Sequence, residues 1–246
     1  MKRLILAIQF LTIVPIKKGM RPDKDDLAGS MVFFPVVGAM QGACLAALDY
    51  GLIQILPQTV VSAVLLAVLA FLNGGLHLDG FADTVDGLAG GNTSDERLRI
   101  MRDSSVGALA VVALILLILI KFLSINELHG SGRIAVIVIF PVIGKWCMVL
   151  LSCLAPPARK DGLGASFAAN SYSTLAAATG LTIAASWLLL GLSSLAIMGV
   201  MAVWSYLAAM FFKRKLGGVT GDVFGFHCEL SEGLTLIFFL CLLRVV

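Results

Sequence analysis

Charge is the scarcest property of this sequence. Of its 246 residues only 13% are charged and 59% are hydrophobic, whereas soluble domains carry roughly a quarter charged residues and half apolar ones. The mean hydropathy is +0.98. A soluble fold of this size would have to hide most of its residues in one core, leaving too little polar surface to stay dissolved. The shortage excludes a soluble globular domain and predicts an all-α polytopic membrane protein. Basic character is also slight. The formal net charge is +3, with no long basic run and no zinc-finger spacing, so nothing favours a nucleic-acid partner. A cysteine framework is missing too. Cys44, Cys147, Cys153, Cys228 and Cys241 are scattered, four of them within apolar runs, and read as small core residues. No linker, low-complexity segment or internal repeat breaks the chain, so residues 1–246 read as a single integral membrane domain.

The first residues, "MKRLILAIQFLTIVPIKKGM", begin like a signal peptide. No small-residue cleavage site follows; Lys17 and Lys18 do. A helix over Leu4–Val14 would be roughly 16 Å long, short of a hydrocarbon core of roughly 30 Å. An interfacial or re-entrant helix is expected.

Apolar segments near spanning length occur at about 32–53, 58–77, 107–125, 134–154, 175–192 and 195–212. A seventh, 233–246, reaches that length only if its helix starts upstream, near Asp222. The expectation is a bundle of six to seven transmembrane helices. With seven, the positive-inside rule is obeyed throughout. The basic N-terminal arm, loop 78–106 with Arg97, Arg99 and Arg102, loop 155–174 with Arg159 and Lys160, and loop 213–232 with Lys213, Arg214 and Lys215 all fall on one side. That side is expected to be the cytoplasm, and the membrane the inner one.

Against this background, "GGLHLDGFADTVDGLAGG" at residues 74–91 is anomalous. On a helix, Asp79, Asp83 and Asp86 point within about 60° of one another. Like charges at a membrane rim repel and lose hydration, and a cation relieves both penalties. Carboxylates without a histidine or cysteine cluster suit a hard ion, Mg²⁺. Glycine beside carboxylate is costly in a helix, so something must approach that backbone closely. A second acidic stretch, "LGGVTGDVFGFHCELSEG" at 216–233, sets Asp222 and Glu229 on one helix face, within about 20°. Gly217, Gly218 and Gly221 can admit a phosphate at the helix start, although the Gly-Lys-Ser/Thr ending of a P-loop is absent. Two carboxylate faces meeting in a cleft would hold Mg²⁺ around a pyrophosphate.

Other polar residues divide between site and scaffold. Arg97, Arg99, Arg102 and Asp103 follow the first cluster, and arginines there suit a phosphate substrate. Lys145 lies within the fourth span and reads as functional, whereas Lys121, nearer a helix end, reads as snorkelling. His77 reads as a structural histidine or a proton carrier. His227 and His129 read as structural. Asp49 is expected to reach water at the outer end of the first span. Asp23, Asp25, Asp26, Asp95 and Glu96 read as solvated.

"GGLHLDGFADTVDG", "RIMRDSSVGALA", "ARKDGLGASF" and "LGGVTGDVFGFHCELSE", in that order, with weaker echoes in "FLTIVP" and "FFPVVGAMQG", resemble the adenosylcobinamide-GDP ribazoletransferase family, the cobalamin synthases. The resemblance implies a Mg²⁺-dependent membrane enzyme that joins adenosylcobinamide-GDP to α-ribazole or its 5′-phosphate and releases GMP. It implies a metal set of Asp79, Asp83, Asp86, Asp222 and Glu229, with one of these carboxylates, Asp83 among them, or His77 accepting the hydroxyl proton. Arg102, Asp103, Lys145, Gly218 and Thr220 would contact substrate. The chain departs from the family pattern at Ser105 and Lys145, where arginine is usual, and at Phe226 and His227, where small residues are. The implied partners are the two substrates and the bilayer; a homo-oligomer or a corrinoid-pathway protein is compatible with the sequence. The alternatives are a CDP-alcohol phosphotransferase, whose signature after Asp79-Gly80 is not matched, and an ion-coupled transporter, whose carboxylates should lie near the membrane midplane.

Overall fold

The computed structural model describes residues 1–16, 23–130, 132–160, 162–167 and 171–245. Among them the regular structure is helical, and the chain is an integral membrane protein. Six helical stretches are long and apolar enough to cross a membrane: Asp25–Leu52, Ala108–Asn126, Gly132–Leu154, Tyr172–Leu190, Ser193–Leu216 and Gly221–Leu242. The last begins where the sequence required, beside Asp222.

Two short helices, α1 (Lys2–Leu11) and α2 (Lys24–Ser30), precede the first long one, α3 (Phe34–Leu52). The N-terminal helix buries Ala7 and Leu11, and its Phe10 forms a three-ring cluster with Phe34 and Phe167. Lys17, Lys18 and Arg21 lie outside the described residues. The centre of the bundle is α8 (Gly132–Leu154), apolar on every side and buried along nearly its whole length. Such an all-round apolar helix is stable only inside a bundle. Helix α3 lies against it through Gly38 and Gly42; a Cβ at Gly38 would sit 2.7 Å from the Pro141 carbonyl oxygen. Small residues let membrane helices approach this closely. By contrast α7 (Ala108–Asn126), equally apolar, leaves Leu109, Val112, Ile115, Leu116, Leu119 and Leu123 exposed, which is a lipid-facing surface.

The second predicted span is broken. After α4 (Gln58–Leu72), Gly74 and Gly75 adopt φ of +60° and +71°, a conformation that favours glycine. The chain leaves as α5 (Leu76–Gly90) at 86° to α4. The connection 78–106 is therefore mostly helical: the aspartates lie on α5, the helix on which their shared face was read, and α6 (Ser94–Ile100) follows with a Thr93–Glu96 capping box. Counting α4 and α5 as one broken span restores the seven that the charge distribution demanded. A short α9 (Leu163–Phe167), then α10 (Tyr172–Leu190), α11 (Ser193–Leu216) and α12 (Gly221–Val245) complete the chain.

Asp49 does not reach water. It is 2% exposed and held by Arg133, whose Nη2 donates to Oδ1 at 2.6 Å and whose Nε lies 3.0–3.1 Å from both carboxylate oxygens. The same guanidinium donates to the carbonyls of Ile125 and Leu128. A carboxylate buried at this depth requires such a partner, and the fork of arginine supplies it.

Candidate active site

Helices α5 and α12 cross backbone to backbone. A Cβ at Gly80 would lie 2.7 Å from the Asp222 carbonyl oxygen, and one at Gly225 would lie 3.0 Å from the His77 Cα. The pairing of 80 with 222 and of 77 with 225 makes the crossing antiparallel. It explains two of the glycines: they admit a helix, where the sequence suggested a ligand. The crossing sets the aspartates of α5 beside the first turn of α12. Asp83, half-buried, feels the charges of Asp79, Asp222 and Asp86, opposed by Arg159. Asp222 in turn feels Arg159, Asp79 and Arg102. Thr220 caps α12, accepting from the Val223 amide at 3.3 Å while its hydroxyl donates to Asp222 Oδ2 at 3.3 Å.

Arg159, which the sequence reading used to orient the chain and quoted within a motif without giving it a role, is brought here by a backbone clasp. The Ala158 amide donates to the Val219 carbonyl and the Val219 amide to the Pro156 carbonyl, both at 2.9 Å. Gly218 makes the clasp possible, since any side chain there would strike Pro156. It is buried in that contact. The guanidinium of Arg159 also donates to the Leu98 carbonyl at 2.6 Å. The available signal was the motif "ARKDGLGASF" itself, which carries no helical period.

Asp79 and Asp222 open onto a cavity of ≈ 250 Å³. Asp79, Asp222, Thr220 and Arg159 line it with apolar residues that include Phe10, Met148 and Val219, and with His77. His77 is 2% exposed, and neither ring nitrogen has a hydrogen-bond partner.

The other expected site residues lie elsewhere. Asp86 accepts the Gly107 amide at 2.7 Å, which ties α5 to the start of α7. Asp103 accepts the Ser105 hydroxyl at 2.7 Å and amide at 3.0 Å, and these bonds hold its exposed carboxyl below the usual range. Ser105, where the family pattern has arginine, thus closes a local turn. Glu229 is not brought to the aspartates. Two turns further along α12, roughly 10 Å deeper, it pairs with Lys121 at 2.8 Å. Lys121 also pairs with Glu232 at 2.7 Å, and Lys145 with Glu232 at 2.9 Å. The four charges balance, and all four side chains are buried. So Lys121 does not snorkel, and the Lys145 ammonium is taken by Glu232 and by Cys228 Sγ at 3.4 Å. Gly144 leaves room for Glu232, since a Cβ there would come within 2.5 Å of its Cγ. His227 bonds Ser205 at 3.0 Å and stacks on Trp204, a structural role.

Among the described residues, no three histidine, cysteine, aspartate or glutamate side chains converge closely enough to hold a metal by themselves. Hard carboxylate oxygens are the donors that Mg²⁺ takes alongside waters and substrate phosphates. Asp79 and Asp222 line the cavity, and Asp83 follows Asp79 by one turn on α5.

This chemistry can be set beside known proteins. The family model described as Cobalamin-5-phosphate synthase matches residues 3–240. The chain belongs to that family. Adenosylcobinamide-GDP ribazoletransferase of Geotalea daltonii is 40% identical over 233 residues, covering 94% of each chain. The proteins of the same name from Desulforamulus reducens and Pseudomonas syringae pv. syringae are each 37% identical, over 239 and 234 residues. These alignments cover 97% and 92% of this chain and 95% and 94% of the relatives. No solved structure matches. For a cobalamin-5-phosphate synthase family member, the transporter and the CDP-alcohol phosphotransferase are no longer the readings to pursue.

Proposed function

We propose that this chain transfers the phosphorylated corrinoid of adenosylcobinamide-GDP to α-ribazole or its 5′-phosphate. In the reaction, a ribose hydroxyl oxygen of the acceptor forms a bond to the corrinoid-linked phosphorus. The bond from that phosphorus to the GMP oxygen breaks, and GMP leaves. The product is adenosylcobalamin or its 5′-phosphate. The observation that carries the reading is the α5–α12 crossing, which packs Gly80 against the Asp222 backbone and lets Asp79, Asp222 and Arg159 line one cavity.

Phosphoryl transfer is mostly positioning and charge neutralisation. Asp79, Asp83 and Asp222 would hold Mg²⁺, which when bound neutralises charge on the phosphate oxygens. Arg159, which lines the same cavity, adds a cationic donor for the pyrophosphate. Asp83, half-buried on the same face of α5 as Asp79, accepts the proton of the attacking hydroxyl. The clasp at Gly218 and the cap at Thr220 keep Asp222 and Arg159 in register. Lys121, Lys145, Glu229 and Glu232 act one layer below, by holding α7, α8 and α12 together.

The mouth opens to the cytoplasmic side of the inner membrane in this reading, which the basic loops support. The test is transfer in detergent or proteoliposomes with adenosylcobinamide-GDP and α-ribazole. Corrinoid product and GMP are expected with Mg²⁺; no product under any divalent metal would overturn the reading.

A further inference from the structure

Two stretches of the sequence have no part in the transfer step as described: "FLTIVP" at residues 10–15 and "FFPVVGAMQG" at 33–42. The fold brings both to the bend at Gly74 and Gly75. Gln41, on α3, is 3% exposed. Its Nε2 donates to the Leu11 carbonyl at 3.1 Å and to Asn73 Oδ1 at 2.7 Å. A carbonyl can only accept, so the nitrogen of Gln41 must face Leu11, and Asn73 must offer it an oxygen. One amide thus joins the end of α1 to the end of α4. The Ile13 amide adds a bond to the Leu72 carbonyl at 2.9 Å, one of the carbonyls that a helix end leaves without an internal partner. A Cβ at Gly74 would come within 2.9 Å of Ile13 Cγ2. Gln41 is itself held in place, because the next residue, Gly42, packs on the Val138 backbone of α8.

The two segments that Gln41 joins are two walls of one cavity. Phe10 precedes Leu11, and Leu76 and Asp79 follow Asn73; all three line the cavity with Asp222 and Arg159. Stability does not account for the amide pair. Gln41 Oε1 and Asn73 Nδ2 are buried without a partner among the described residues, and apolar side chains of similar shape can replace such a pair with little loss. What a hydrogen bond adds to apolar contact is direction. We propose that Gln41 is a positioning residue for the transfer step. It fixes the angle at which α5 leaves α4, and so the place of Asp79 and Asp83 against α12 and of Phe10 across the cavity. The inference rests on the proposed transfer reaction. Gln41 touches no substrate in it and acts only through the helices it joins.

The test compares kcat, half-saturating Mg²⁺ and thermal midpoint for wild type, Gln41→Met and the double variant Gln41→Met/Asn73→Leu. Gln41→Met keeps the side-chain length and removes the donor. It is expected to lower kcat per folded molecule about tenfold or more, since 1 Å of misplacement costs about 100-fold, and to raise the Mg²⁺ needed. Its midpoint should also fall, because Asn73 Oδ1 is left unpaired. Adding Asn73→Leu removes that orphan and should return much of the midpoint while kcat stays low. A kcat that recovers with the midpoint, or that never falls, would overturn the proposal and leave Gln41 a structural residue only. If wild type transfers nothing, the reaction is at fault, and the bend is then read without it. Cys44, Cys153 and Cys241, which are not buried, are replaced by alanine, and spin labels are placed at Val60→Cys on α4 and Ala89→Cys on α5, both exposed. Pulsed EPR should give a distance that shifts or broadens in the double variant. The same distribution with and without the amide pair would overturn the proposal.

Discussion

Gly80 lies on Asp222: the two helices that carry the acidic residues touch backbone to backbone, with 2.7 Å between a would-be Cβ and the Asp222 carbonyl oxygen. This contact sets how far Asp79 and Asp83 stand from the start of α12. Gly80→Val must force the helices apart, because the obstacle is backbone and cannot rotate away. A shift of about 1 Å in a phosphoryl-transfer site costs on the order of 100-fold in rate. The expected outcome is a protein that inserts into membranes with kcat reduced by about that factor. A fully active Gly80→Val would mean that the crossing does not position the carboxylates.

The Lys121, Lys145, Glu229 and Glu232 quartet predicts a stability effect. Breaking a buried pair by removing one member costs about 3–5 kcal/mol, because a charge is left uncompensated. Glu229→Gln is therefore expected to lower the thermal midpoint in detergent clearly. Adding Lys121→Met removes the partner charge and should return part of the loss. If Glu229→Gln instead kept its midpoint while its Mg²⁺ dependence shifted, Glu229 would be acting on the metal rather than on the scaffold.

Asp49 and Arg133 form a second buried pair, far along the chain from the acidic cluster. Asp49→Asn should destabilise the fold by a comparable amount without changing the KM for either substrate in the protein that remains folded. Thermal unfolding and steady-state kinetics on the same preparation check this. A changed KM at full stability would contradict a purely structural pair.

Orientation is open to labelling. Cys44 and Cys241 are exposed, so the experiment starts from a variant with both replaced by alanine. In that background Asp95→Cys should react with an impermeant maleimide only from the cytoplasmic side, and His129→Cys only from the opposite side. Reaction of both from one side would break the seven-span count.

Much of this was legible in the sequence because membrane helices announce themselves by length and apolarity. The start of α12 near Asp222 followed from the shortness of 233–246. The bend at Gly74–Gly75 did not, since two glycines in an apolar run look the same in a kink, a packing face or a loop. The aspartates were recognisable as a set from their shared helix face. Glu229 seemed to belong with Asp222 by the same rule, but a shared face does not tell depth, and two turns put Glu229 among buried lysines. Lys121 and Lys145 carried a signal that was available: two lysines in apolar spans call for two acids, and Glu229 and Glu232 were the acids in the interior of the last one. Arg159 was hidden because its place comes from a clasp between distant backbone segments.

The central claim is that the carboxylates at the α5–α12 crossing hold Mg²⁺ for phosphoryl transfer. It is tested most directly by the rate of corrinoid product formation for wild type and Asp83→Asn, each with Mg²⁺ and with chelator. The account predicts product from wild type only with Mg²⁺, and a folded, membrane-inserted Asp83→Asn slower by on the order of 100-fold or more. Wild-type rates maintained in chelator, or by Asp83→Asn, would contradict it.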